Sequence, residues 1–226
     1  MDMATLARAI DQTLLKPTAG FAEAATWMDD CRDAGFATLC VSPFLVPLAS
    51  QKLAGTDTQV CSVAGFPLGY ANTETKAEEA ALLVTLGCIE VDMVMNVASL
   101  LEGEDTFVLE DIRAVVDSVE RASEGRGLVK VILETGHLSE SEIDRGSHLA
   151  ADAGAHYVKT STGFGPRGAS VRDIEIMRAA VGPDLGVKAA GGIRDLETAL
   201  EMLDAGASRL GSSSGLEILE AFEHRR

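Results

Sequence analysis

Short apolar runs alternate with longer amphipathic stretches along the whole chain, and the junctions between them repeat. A helical stretch ends in Ala-Gly or Leu-Gly and an apolar run follows at once: DAGFATLCVS at Gly35, TLGCIEVDMV at Gly87, DAGAHYVKTS at Gly154 and DAGASRLGSS at Gly206. Glycine there suits the left-handed position that closes a helix, and the apolar runs suit strands buried on both faces. The pattern predicts strands over 11–14, 37–41, 59–64, 89–94, 128–133, 156–159, 186–189 and 208–211. The clearest helical patterns cover 75–86, 104–122, 139–152, 170–180 and 195–205, with a last helix near 215–223. Two of the helix starts carry a capping pattern, Thr75 with Glu78 and Ser139 with Glu142.

Strands that alternate with helices imply a parallel sheet joined by right-handed crossovers. Eight of them in 226 residues fit a closed (β/α)8 TIM barrel, an α/β fold, at the short end of its size range. The intervals Gly35 to Gly87 and Gly154 to Gly206 are each 52 residues, room for two βα units. A doubly wound open sheet is the alternative. It would normally carry a glycine-rich phosphate fingerprint after its first strand, and DQTLLKPTAG does not supply one. No Pro/Gly/Ser-rich linker or shift of composition divides the chain, so residues 1–226 are read as one domain.

Composition narrows the choice of function. With 19 Lys+Arg against 35 Asp+Glu the net charge is −16. Such a surface repels phosphate backbones and anionic lipid headgroups, so neither nucleic acid nor a membrane is an expected partner. A small anionic substrate requires a local site that gathers the few positive charges. The four cysteines (Cys31, Cys40, Cys61, Cys88) fall at irregular intervals, and the opening MDMATLARAI has no signal-peptide pattern. They are read as buried small hydrophobes in a reducing compartment, which makes the expected location cytoplasmic. The four histidines (His137, His148, His156, His224) lack metal-ligand spacing, and no metal site is expected.

The catalytic residues of such a barrel lie at the C-terminal ends of its strands. Of only six lysines, two end apolar strands and precede small residues: Lys159 in AHYVKTSTG and Lys188 in GVKAAGG. Desolvation and a neighbouring ammonium both favour the neutral amine, which attacks carbonyls. The bland reading, that each lysine snorkels to solvent or pairs with a carboxylate, weakens when adjacent strands both end this way. Asp92 in IEVDMVMN is costly in a buried strand unless paired, and a lysine is the natural partner. Lys130 and Glu134 share parity on LVKVILE and are read as structural members of the same network, while Asp11 is ambiguous. Small residues and hydroxyls close the last three strands: Thr160 to Gly163, Ala190-Gly191-Gly192, and Ser212 to Gly215. Glycine lets backbone N–H groups approach an anion, and Ser213-Ser214 precede the positive end of the last helix. A phosphate site is the expectation there.

Taken together, IDQTLLKP, CSVAGFPLG, EVDMV, VILETGHL, VKTSTGF, GVKAAGGIR and GSSSG resemble the 2-deoxyribose-5-phosphate aldolase family, in order from about residue 10 to residue 220. The resemblance implies a class I aldolase, a carbon–carbon lyase without metal or organic cofactor. Its reaction interconverts 2-deoxy-D-ribose 5-phosphate with D-glyceraldehyde 3-phosphate and acetaldehyde, a step in deoxyribose phosphate breakdown. It implies Lys159 as Schiff-base lysine, Lys188 as the neighbour that activates it, and Asp92 as proton-transfer partner. Asp11 and Cys40 match positions near the site; Gly163, Gly191, Gly192, Ser213 and Ser214 match phosphate-binding segments. A homo-oligomer, dimer or tetramer, is left open. Two departures stand out. Some members carry a cation directly after STG, where this chain has Phe164. Some end in a tail with a terminal tyrosine, where this chain reads EAFEHRR, so proton exchange is expected to rely on water, Asp92 and Lys188. The rival readings are another Schiff-base lyase with a different phosphosugar, and a phosphosugar-binding barrel that isomerises or senses its ligand.

Overall fold

All eight apolar runs are strands in the computed structural model, which describes residues 1–225. They are β1 (Ile10–Leu14), β2 (Thr38–Val41), β3 (Gln59–Ala64), β4 (Glu90–Val94), β5 (Leu128–Ile132), β6 (Tyr157–Lys159), β7 (Gly186–Ala190) and β8 (Arg209–Ser212). Each boundary falls within one residue of the sequence expectation. Every neighbouring pair is parallel, and β8 pairs with β1 to close a barrel in chain order. The open doubly wound sheet is thereby excluded.

The helices are α1 (Met3–Arg8), α2 (Phe21–Cys31), α3 (Val46–Lys52), α4 (Thr73–Thr85), α5 (Val97–Leu101), α6 (Asp105–Ser123), α7 (Glu140–Asp152), α8 (Val171–Val181), α9 (Leu196–Asp204) and α10 (Gly215–Glu223). Gly35, Gly87, Gly154 and Gly206 all have φ between 77° and 113°, the left-handed turn that ends a helix and feeds the next strand. The capping box at α7 is present: Glu142 accepts from the Ser139 backbone N–H at 2.7 Å and from its hydroxyl. The α4 cap differs from expectation. Asn72, not Thr75, is the N-cap. A tertiary contact sets that start: the Thr73 hydroxyl donates to Asp111 Oδ1 at 2.8 Å, and Lys76 Nζ to Asp111 Oδ2 at 2.7 Å. Among the described residues no helix is long and apolar enough to cross a membrane.

Strand alternation sorts the barrel wall into two sets. Val91, Met93, Val129, Val131, Val158, Val187, Ala189 and Leu210 belong to the main apolar core under the helices. The alternate positions carry Asp92, Lys130 and Lys188: Lys130 meets Asp92 on the neighbouring strand, and Lys188 reaches Asp92 and Asp11 on non-adjacent strands. Branched aliphatics usually fill a barrel interior. Here it is filled by ions, which persist in low dielectric only when closely paired.

Candidate active site

The ion cluster runs up the barrel axis to a cavity of about 380 Å³ at the C-terminal ends of the strands. At its base Arg209 Nη1 lies 2.6 Å from Asp11 Oδ1 and 3.2 Å from Glu90 Oε2. Lys130 Nζ follows, 2.6 Å from Glu90, 2.8 Å from Asp92 Oδ1 and 3.5 Å from Asp11. Lys188 Nζ bridges Asp11 Oδ2 at 2.5 Å and Asp92 Oδ2 at 2.7 Å. Lys159 Nζ reaches that same Asp92 oxygen, also at 2.7 Å. Lys130, Lys188, Asp92 and Asp11 are wholly buried, whereas Lys159 is 3% exposed and lines the cavity.

Each charge is set by its neighbours. Burial opposes ionisation of Asp92, but the ammonium groups of Lys130, Lys159 and Lys188 outweigh it and hold the carboxyl well below the usual range. Asp11 is lowered likewise, with burial overcome by Lys188, Lys130 and Arg209. Burial disfavours the Lys188 ammonium, yet Asp11 and Asp92 raise it above an ordinary lysine; Lys130 is raised well above by Asp92, Cys61, Asp11 and Glu90. These two amines stay protonated.

Lys159, Lys188 and Asp92 are thus brought together as expected, with Asp11 beneath them. Lys130 joins them, bonded to Asp92 directly. Glu134 does not. It shares parity with Lys130, but β5 ends at Ile132 and Glu134 adopts a left-handed conformation, φ 54°. Its carboxylate accepts instead from Thr162. The cysteines also need correction. All four are free and buried, but the Cys61 thiol is part of the polar cluster, donating to Asp92 Oδ1 at 3.4 Å and accepting from Lys130 at 3.4 Å. Cys40 pairs in register with Cys61, and their sulfurs and an Asp92 oxygen lie within 4.8 Å of one another. That trio suits a cation poorly, because three ammonium groups already surround the carboxylate.

The other end of the cavity is built from backbone. Gly163, Gly191, Gly192 and Ser213 line it; Ser214 does not. Ser214 is the N-cap of α10 and donates its N–H to the Ser212 hydroxyl at 3.0 Å, while Gln12 Oε1 accepts from the Gly215 N–H at 2.8 Å. Gly191 needs to be glycine: its φ is 87°, and a Cβ would sit 2.9 Å from the Gly168 Cα. Two cations line this end that strand-end reading had not picked out, Lys16 and Arg194. Their signal was present, since each lies just past the end of β1 or β7, the rule that singled out Lys159. Lys16 is paired with Glu23. Phe164 lines the same cavity and packs edge-on against Phe66, ring centroids 5.5 Å apart.

Comparison with known proteins agrees with this geometry. Deoxyribose-phosphate aldolase of Geobacillus sp. (strain WCH70) is 49% identical over 215 residues, 95% of each chain. The enzyme of that name from Caldanaerobacter subterraneus subsp. tengcongensis is 47% identical, covering 96% of this chain and 94% of its own. Among solved structures, QR15, an aldolase, superposes with a TM-score of 0.89 at 37% identity over 97% of this chain and 96% of its own. The deoxyribose phosphate aldolase of Aeropyrum pernix, described as a unique tetramer, does so at 0.89 and 31% identity, over 98% and 92%. A family model described as DeoC/LacD family aldolase matches residues 5–221, and with both sequence and barrel matched over nearly their whole length the chain belongs to that aldolase family.

Proposed function

We infer that the protein is a class I aldolase that reversibly cleaves 2-deoxy-D-ribose 5-phosphate to D-glyceraldehyde 3-phosphate and acetaldehyde, with Lys159 as its Schiff-base lysine. The name shared by the relatives supports the substrate. One observation carries the choice of lysine. The barrel interior holds four cations, Lys130, Lys159, Lys188 and Arg209, against three carboxylates, Asp11, Glu90 and Asp92. One positive charge is in excess, and low dielectric favours its loss. Arg209 cannot release a proton in this range. Lys130 and Lys188 each touch at least two carboxylates. Lys159 touches one, shares it, and alone among these lysines meets the cavity, so it is the amine placed to give up the excess proton and attack a carbonyl.

The neutral amine adds to the C1 carbonyl of the open-chain sugar, and loss of water gives a protonated imine. That cation accepts the electrons of the C2–C3 bond as the C3 hydroxyl loses its proton, releasing glyceraldehyde 3-phosphate and leaving an enamine. A proton returns to C2, and water hydrolyses the imine to acetaldehyde and free Lys159. Asp92 Oδ2, bonded to both lysines, is the nearest base for these transfers, with Lys188 as the donor behind it and water completing the path. Gly163, Gly191, Gly192 and Ser213 hold the phosphate, with Lys16 and Arg194 supplying positive charge that the protein as a whole lacks. Ser214 acts indirectly, through Ser212 and the α10 cap. Binding at that remote end orients the reacting carbons.

Incubation with 2-deoxyribose 5-phosphate and analysis of the aldehydes released tests the reading. Acetaldehyde is expected; a different small carbonyl indicates another Schiff-base lyase, and turnover without any reducible imine indicates an isomerase or binding barrel. The phosphate end has its own test. Ser213→Asp sets a carboxylate against the phosphate and should lower kcat/KM for the phosphorylated sugar roughly ten- to a hundredfold, the worth of one charge-assisted hydrogen bond of about 1.5–3 kcal/mol. Unphosphorylated 2-deoxyribose should be affected far less. Equal losses on both sugars would move the phosphate elsewhere on the barrel.

A further inference from the structure

Next to the Lys159 cavity lies a second cleft of about 380 Å³, lined by Leu68, Val94, Val97, Leu101 and Glu134 among others; Thr162 and Phe164 border both. Glu134 carries two unusual features at once. It is one of two non-glycine residues among those described with positive φ, and the other, Glu124, is the C-cap of a helix. It is also buried, and no lysine, arginine or histidine among the described residues lies within ion-pair distance of it. A strained backbone and an unpaired buried carboxylate are each costly, and such outliers persist where surrounding structure holds them for a purpose.

The side-chain hydrogen bonds of Glu134 all go to one residue. It accepts from the Thr162 N–H at 3.2 Å and from the Thr162 hydroxyl. The same hydroxyl oxygen accepts from the Phe164 N–H at 3.0 Å. Gly165 is packed so closely that a Cβ there would lie 2.7 Å from the Glu134 carboxylate. Carboxylate, hydroxyl and amide therefore form a chain that fixes the loop after β6, and that loop carries Gly163. Lys159 is held separately, by ladder pairing with Ile132 and Lys188.

We propose that Glu134 is a positioning residue: it fixes the Thr162–Phe164 segment against which the phosphate end of the substrate is seated, without touching the reacting carbons. This rests on the aldolase reading, and the test separates the two. Glu134→Gln keeps the size of the side chain but removes its negative charge and leaves a single, neutral acceptor oxygen for the two Thr162 donors, so charge-assisted bonds become ordinary ones. KM for 2-deoxyribose 5-phosphate should rise about tenfold. Over the same comparison, kcat, activity on unphosphorylated 2-deoxyribose and borohydride trapping of acetaldehyde at Lys159 should stay within about twofold. Gly165→Ala approaches the same contact from the other side, pushing the carboxylate away from Thr162, and should give the same split. Equal losses on all readouts would mean that Glu134 only supports the fold, and an unchanged KM would mean that its contacts do not reach the substrate; either overturns the proposal. If Glu134→Gln does not fold, Gly165→Ala decides by the same criterion. Wild-type protein that fails to trap acetaldehyde at Lys159 overturns the aldolase reading itself, whereas wild-type trapping with no split in either variant overturns this proposal alone.

Discussion

Treated with acetaldehyde and borohydride, the protein gains a two-carbon group on the peptide that contains Lys159, and the Lys159→Leu variant gains none. The expectation follows from reach and from charge. Trapping needs an amine that is both neutral and open to the aldehyde. Lys130 and Lys188 are wholly buried and held protonated by the carboxylates around them. Lys16 lies at the mouth, exposed to water and engaged by Glu23 rather than turned into the barrel. Lys159 meets the cavity and belongs to a cluster with one cation too many. Its deletion removes the electron sink of the mechanism, so kcat should fall by on the order of 10⁵-fold, as for the nucleophile of other covalent mechanisms. The fold should survive, because leucine takes up most of the same volume and removing the excess cation leaves three against three. A label found mainly on Lys188, or on surface Lys52, would sink the assignment.

The second large effect is expected at Lys188. In the intact cluster Lys130, Lys188 and Arg209 balance Asp11, Glu90 and Asp92, and Lys159 is the one cation in excess. Lys188→Leu removes one of the three balancing charges and leaves Asp11 without its 2.5 Å partner. Neutrality of the interior then requires Lys159 to keep its proton. The sign follows: the amine becomes available only at higher pH, so the rising limb of the pH–rate profile moves in the alkaline direction. A charge this close moves a titration by about 1–3 units, which lowers kcat/KM at a fixed pH on that limb by roughly tenfold per unit. Lys188 is also the donor behind Asp92, and losing that role depresses the plateau without moving the limb. The full profile therefore separates the two contributions. A limb that stays where it was, at any plateau height, refutes the charge-balance account.

The eight strands and most of the helices were legible because the signals that set them are local. A period of two or of 3.6, a glycine that closes a helix and a serine–glutamate cap act over a handful of residues, and the boundaries of all eight strands came out within one residue. Where a local signal competed with a distant contact it lost. Thr75 with Glu78 reads as a cap, but Asp111 on α6 holds Thr73 and Lys76 and sets the start of α4 at Asn72. Strand parity likewise placed Glu134 with Lys130, and a single left-handed residue beyond the end of β5 was enough to turn it toward Thr162. Parity holds only while the chain stays extended.

The site divides in the same way. The sequence by itself determined that two lysines end adjacent strands, that an aspartate lies buried among valines and methionines, and that glycines and serines gather after the last three strands. Those are properties of position along the chain, and once the barrel is inferred they fall at its mouth. Which lysine meets the cavity was decided by the tertiary structure. Lys159 and Lys188 are register partners on β6 and β7, yet Asp11 and Asp92, from β1 and β4, enclose one and leave the other facing the cavity. Closing the barrel also brought Lys16 and Arg194, from its first and seventh strand ends, to one side of the same pocket. Charge balance in a closed interior sums over residues as distant as Asp11 and Arg209, and no local pattern carries that sum; the barrel had to close before it could select an amine.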